Sequence, residues 1–110
     1  MQTRREIKAE ELRLIGFLLE KANLKIGDFE VINLVDDYEG AVMRSIGIGD
    51  ANEATYEADI IQANYIDTDG VPVVITLTKC TEGKLLDLDF WKEDFSKLLQ
   101  YPKPEDLVFF

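Results

Sequence analysis

The sequence predicts an α+β fold: an N-terminal helix packed on an antiparallel sheet of about five strands, with a short C-terminal helix or irregular segment. Three observations lead there. Apolar residues recur at helical spacing near the start of the chain, the period falls to two from about residue 29, and Gly, Asp and Asn then punctuate the sequence at hairpin intervals. With 110 residues, 46% of them hydrophobic, the chain supplies one core, so residues 1–110 read as a single domain.

The helix is expected over residues 8–22. At 100° per residue, Leu12, Leu14, Ile15, Gly16, Leu18, Leu19 and Ala22 share a broad arc, and Glu10, Arg13, Glu20 and Lys21 lie opposite. Asn23 is the expected C-cap, and Gly16 on the buried arc suggests close approach of another backbone. Phe17 is the misfit: it falls on the polar side, so either the apolar C-terminal residues or a partner must cover it.

Strands follow at 29–35, 41–48, 55–66, 71–78 and 84–91. Turns at 36–40, 67–70 and 81–83 and a polar loop at 47–54 separate them. Val71, Val73, Ile75 and Leu77 give the clearest alternation, and the last three strands form a meander. On the final strand Leu86, Leu88 and Phe90 point one way and Leu85, Asp87, Asp89 and Trp91 the other. Residues 92–99 read as a short helix or irregular crossover, with Phe95, Leu98 and Leu99 folding back on the core before Pro102 and Pro104 stop it.

Composition narrows the chemistry. Histidine is absent and there is a single cysteine, Cys80, so Ser-His-Asp and Cys-His nucleophiles, histidine-ligated metals and a CxxC pair are excluded. The formal charge of −10 is spread over both halves of the chain and opposes binding to nucleic acid or anionic membranes. No apolar run is long enough to span a bilayer and the basic start lacks a signal-peptide pattern, which gives a cytoplasmic expectation. Neither cofactor nor metal is called for, and the residues leave oligomeric state open.

Among motifs, Asp67-Thr68-Asp69-Gly70 begins like a calcium loop but runs at once into Val71-Pro72-Val73, so a hairpin turn is the reading. Asp36 and Asp37 before Gly40 read the same way. Gly47-Ile48-Gly49 is too short to cradle phosphate, and Cys80 reads as a small buried residue.

Asp87 and Asp89 are more informative. Period-two geometry sets both carboxylates on one strand face, about 7 Å apart, with Trp91 next in the row. Glu57 and Asp59 repeat the pattern two strands away, with Lys79 and Lys92 as nearby cations. Paired carboxylates serve acid–base catalysis, but no apolar surroundings are evident to raise one pKa; an acidic face bearing a tryptophan suits a basic protein.

The run from Asp69-Gly70-Val71-Pro72-Val73 into Gly83-Lys84-Leu85-Leu86-Asp87-Leu88-Asp89-Phe90-Trp91-Lys92-Glu93-Asp94-Phe95-Ser96 resembles the C-terminal signature of a family of small uncharacterised bacterial domains. The helix at 12–19 and the turn and strand at 37–45 also fit that family's layout. The resemblance implies no catalytic residues. Size and charge alone suggest an analogy to immunity proteins, which cover a basic toxin site. The functional expectation is therefore a non-enzymatic interaction protein docking a basic partner through Asp87, Asp89, Trp91, Lys92, Glu57, Asp59 and Phe17. The alternative is a carboxylate-dependent enzyme using Asp87 and Asp89, or a small-ligand binder with a pocket between helix and sheet.

Overall fold

The N-terminal apolar stripe folds as α1 (Ala9–Lys21). The computed structural model describes residues 4–29, 33–37, 44–48 and 56–109. At the start of α1 the Glu11 carboxylate accepts the Lys8 backbone N–H at 2.8 Å, filling one of the helix's orphan donors. At its end Asn23 takes φ +62, and Leu24 N–H and Asn23 N–H donate to Leu19 O and Glu20 O, a Schellman closure. The buried arc is Glu11, Leu14, Ile15, Leu18 and Leu19. It is turned away from Leu12, which is exposed, because Glu11 takes a buried place as the ion-pair partner of Arg5.

Six strands form one antiparallel sheet: β1 (Arg4–Glu6), β2 (Leu34–Asp37), β3 (Ile46–Gly47), β4 (Tyr56–Ile66), β5 (Pro72–Cys80) and β6 (Leu85–Lys92), in the order β1-β2-β3-β6-β5-β4. The expected meander is β4-β5-β6. β1 has no apolar alternation to betray it; charge pairs it to β2 instead. Arg4 bonds Asp36 at 2.9 Å, and Arg5 bridges Asp37 at 2.8 Å and Glu11 at 2.7 Å, joining β1, β2 and α1. Asp36 and Asp37 thus lie in a strand, not a turn, and Gly47 pairs with Asp36 and Asp87 instead of opening a loop. Of the strand expected at 29–35, Phe29 instead follows a 3-10 turn at residues 26–28, residues 30–32 fall outside the described residues, and Leu34 and Val35 open β2. β3 lies within the strand expected at 41–48, while residues 38–40 of the expected turn, 41–43 of that strand and 49–54 of the expected loop fall outside the described residues.

One face of the sheet meets α1. Val35, Ile46, Ala63, Val73, Ile75, Leu77, Leu88 and Phe90 enclose the core with the apolar face of α1 and with Leu98. Each such aliphatic burial contributes about 1.5–3 kcal/mol. β4 departs from regular pairing with β5 between Tyr56 and Ala58 and between Asp59 and Ile61, and Val108 bridges Asn64 on its outer edge.

The Asp67–Gly70 turn is confirmed, with Gly70 N–H donating to Asp67 O at 2.8 Å and φ +81 at Gly70. It also anchors the C-terminal segment. Asp67 is 2% exposed and accepts from Leu99 N–H (2.8 Å), Gln100 N–H (3.1 Å), Thr68 N–H (2.8 Å) and Lys92 Nζ (2.9 Å). Burial works against its charge, but those donors, the Leu99 amide foremost, hold its carboxyl below the usual range. Asp69 (2.7 Å) and Lys97 O (2.9 Å) also accept from the Lys92 ammonium. The cation held by this turn is therefore the chain's own lysine. Residues 95–99 accordingly follow an irregular path in which Leu98 is fully buried while Phe95 and Leu99 stay exposed.

Candidate functional site

Strand alternation on β6 sends Leu88, Phe90 and Lys92 into the core and Asp87, Asp89 and Trp91 to the opposite face. Lys92 is thus removed from the candidate face. Its parity as the residue after Trp91 points it inward, where Asp67 and Asp69 neutralise it. Phe17 is likewise accounted for within the chain: its ring lies 6.0 Å from that of Phe109, and Lys21 Nζ sits 5.5 Å and 5.7 Å from the two ring centres.

Register assembles the outward residues into cross-strand rows. Asn64, Val74 and Trp91 form one row, Gln62, Thr76 and Asp89 the next. Asp59 pairs with Thr78, whose hydroxyl accepts the Asp87 N–H at 3.0 Å, so Asp59 shares the third row with Asp87 as expected. Glu57 lies in the irregular stretch of β4 and pairs with Lys79 at 3.2 Å. Asp59 accepts the Tyr56 hydroxyl at 2.8 Å.

The two central aspartates have unlike environments. Asp89 accepts Ser45 Oγ–H at 3.0 Å, and the same hydroxyl oxygen accepts the Phe90 N–H, pinning residue 45 against β6. Asp87 is partly buried beside Leu85 and Leu86, and its Oδ1 has no hydrogen-bond partner among the described residues. Burial first, and the neighbouring Asp89 charge second, push its pKa up to about 6. Sequence reasoning found no cause for such a rise, because the irregular register between Leu77 and Lys79, which leaves Asp87 facing Thr78, is invisible in residue spacing.

At the other end of the face the character is apolar. Trp91 is 52% exposed, Phe95 62% and Ile66 58%. Ile66 pairs with Pro72, and the Trp91 and Phe95 rings meet edge to face at 4.9 Å and 78°. The Phe95 contribution escaped sequence reading, which sent that ring to the core.

The structure holds grooves along the margins of α1. One of about 490 Å³ is lined by Lys21, Asp59, Ile60, Ile61, Gln62 and Phe109. Another of about 410 Å³ lies off the sheet, over Gly16 between α1, the turn at residues 26–28 and Pro104. A Cβ at Gly16 would meet nothing within 4 Å, so this glycine borders open space and not the close backbone expected. Among the described residues, no helix is long and apolar enough to cross a membrane.

The class defined by these features is an α+β domain in which one helix covers one face of a six-stranded antiparallel sheet and leaves an acidic and aromatic face outward. The chain belongs to the family described as a domain of unknown function (DUF6984), whose model matches residues 4–102. The match takes in β1 through the anchored C-terminal segment and stops short of Val108. No curated protein and no solved structure matches the chain.

Proposed function

We propose that this domain is a non-enzymatic protein-binding module of the bacterial cytoplasm, whose outer sheet face docks a basic partner, in the manner of an immunity protein covering a cationic site. The observation that carries the reading is the exposed Trp91–Phe95 pair at one end of the sheet face that α1 leaves uncovered, with Asp89 and Asp87 further along the same strand. Large exposed aromatics supply the desolvated anchor of an interface, and carboxylates around them steer and orient a cationic partner. The net charge of −10 acts in the same direction at longer range. The test is affinity capture from the source cell with wild type, Trp91→Ala and Asp87→Ala/Asp89→Ala. A basic protein retained by wild type and lost from both variants supports docking at this face; identical captured sets overturn it.

A carboxylate-dependent enzyme is favoured by one observation, the pKa of about 6 at Asp87 beside Asp89. It is the weaker reading because it leaves the exposed aromatic pair without a role. A hydrolytic activity with a pH profile abolished in Asp87→Asn would reverse that order.

A further inference from the structure

Resting on the docking face just described, we infer that the Trp91–Phe95 corner is a receptor for a guanidinium group, so that the partner presents an arginine side chain there. β6 ends at Lys92, and a tight turn closed by Phe95 N–H to Lys92 O at 2.9 Å returns the chain toward Trp91. Phe95 completes that turn at φ +61, a left-handed conformation that bulky side chains rarely adopt. The outcome is a ring standing perpendicular to Trp91 and 62% exposed. A strained backbone that keeps an aromatic ring in water, when Leu98 three residues on reaches the core, gives that ring a surface role.

The two rings meet edge to face at 78°, so the ring that offers its edge keeps its negatively polarised faces free for a cation. Among the described residues, the cations that lie over rings, Lys21 and Arg44, are on Phe17, Phe109 and Tyr101. The inward-pointing Lys92 leaves no charge of its own at the corner, being held by Asp67 and Asp69 beneath the sheet. The acidic residues near it in the chain are Asp89, two residues before Trp91 on the same strand face, and exposed Asp94, which directly precedes Phe95. Hydrogen bonds from Ser96 Oγ and Ser96 N–H hold the Asp94 carboxyl below the ordinary range, so it remains charged. A planar, weakly hydrated guanidinium stacks on an aromatic wall while its edge donates to such carboxylates; a compact, strongly hydrated ammonium does this less well.

The probes are decamers of arginine and of lysine, read by the fluorescence of Trp91, the single tryptophan. For wild type, the arginine decamer binds about fivefold more tightly than the lysine decamer, the scale of one added cation–π contact. Phe95→Leu removes that preference and Phe95→Tyr keeps it, while Asp87→Asn/Asp89→Asn weakens both peptides, the arginine decamer at least as much as the lysine decamer. Far-UV circular dichroism confirms that each variant is folded. A preference unchanged by Phe95→Leu overturns the guanidinium assignment and leaves the docking face standing. Failure of both peptides to perturb Trp91 overturns the docking face as well.

Discussion

Replacing Asp67 by alanine removes the acceptor on which the C-terminal segment hangs. Four donors lose it together: Leu99 N–H, Gln100 N–H, Thr68 N–H and the buried Lys92 ammonium. Removing one partner of a buried ion pair costs about 3–5 kcal/mol, and an orphaned buried amide about 1–3 kcal/mol. Two features moderate the sum. Asp69 and Lys97 O still hold Lys92, and residues 99–100 are exposed enough for water to reach their amides once the segment lifts. The expected loss is therefore about 3 kcal/mol, a large share of the roughly 5–15 kcal/mol of an ordinary domain. Asp69→Ala provides the contrast: its carboxylate is partly solvated and Asp67 remains, so about 1 kcal/mol is expected. Urea unfolding at pH 7 measures both, and hydrogen exchange at Leu99 and Gln100 reports the loss locally. A loss below about 1 kcal/mol for Asp67→Ala, or equal losses for the two variants, would refute the anchoring argument.

Three further outcomes follow from the geometry. Gly16→Ala stabilises the protein by about 0.5–1 kcal/mol in the same unfolding assay, because a methyl group meets open space and helix propensity improves; destabilisation would show that the groove closes on that position. Phe95→Gly relieves a left-handed backbone worth about 1–2 kcal/mol while losing an aromatic contact of about 0.5–1.5 kcal/mol, so stability stays within about 1 kcal/mol of wild type. Phe95→Leu, which keeps the strain, is the less stable of the two, and the reverse order would count against strain at that turn. Stability against pH carries two opposed limbs. Glu11, Asp37 and Asp67 sit below their ordinary values, so their contribution is full above the unfolded pKa near 4 and lost as pH falls through the folded values. Asp87 sits above its ordinary 3.8, so its contribution is full below that value and lost as pH rises through about 6. Asp87→Asn therefore removes the upper limb. At most the rise converts to about 3 kcal/mol, and about 1–2 kcal/mol of stabilisation at pH 7 is expected once water access to this partly buried group is allowed for. An unaltered slope between pH 5 and 7, read by urea titration, would show that burial does not raise this carboxyl.

What residue spacing made legible was whatever an apolar period writes plainly. The helix, the β4-β5-β6 meander and the outward row of Asp87, Asp89 and Trp91 all follow from periods of 3.6 and two. β1 stayed hidden because its partner choice is electrostatic: Arg4 and Arg5 find Asp36 and Asp37 only after the chain has folded back. Lys92 was misplaced although its parity was readable, since a lysine at an inward position is credible only once two carboxylates are known to wait there. Asp67 read as a turn residue and is one, but its long-range duty depends on residues 99 and 100, more than 30 positions away. Phe95 was sent to the core because its apolarity is visible in sequence and the φ that turns it outward is not.

Recognition of a cationic partner is assigned to the outer sheet face. Two-dimensional NMR of the labelled domain titrated with the arginine decamer tests it residue by residue. Shifts are expected to concentrate on Asn64, Val74, Thr76, Asp89, Trp91 and Phe95, with α1 unmoved. Shifts that gather instead on α1, or spread over every exposed carboxylate without favouring Trp91, would contradict it.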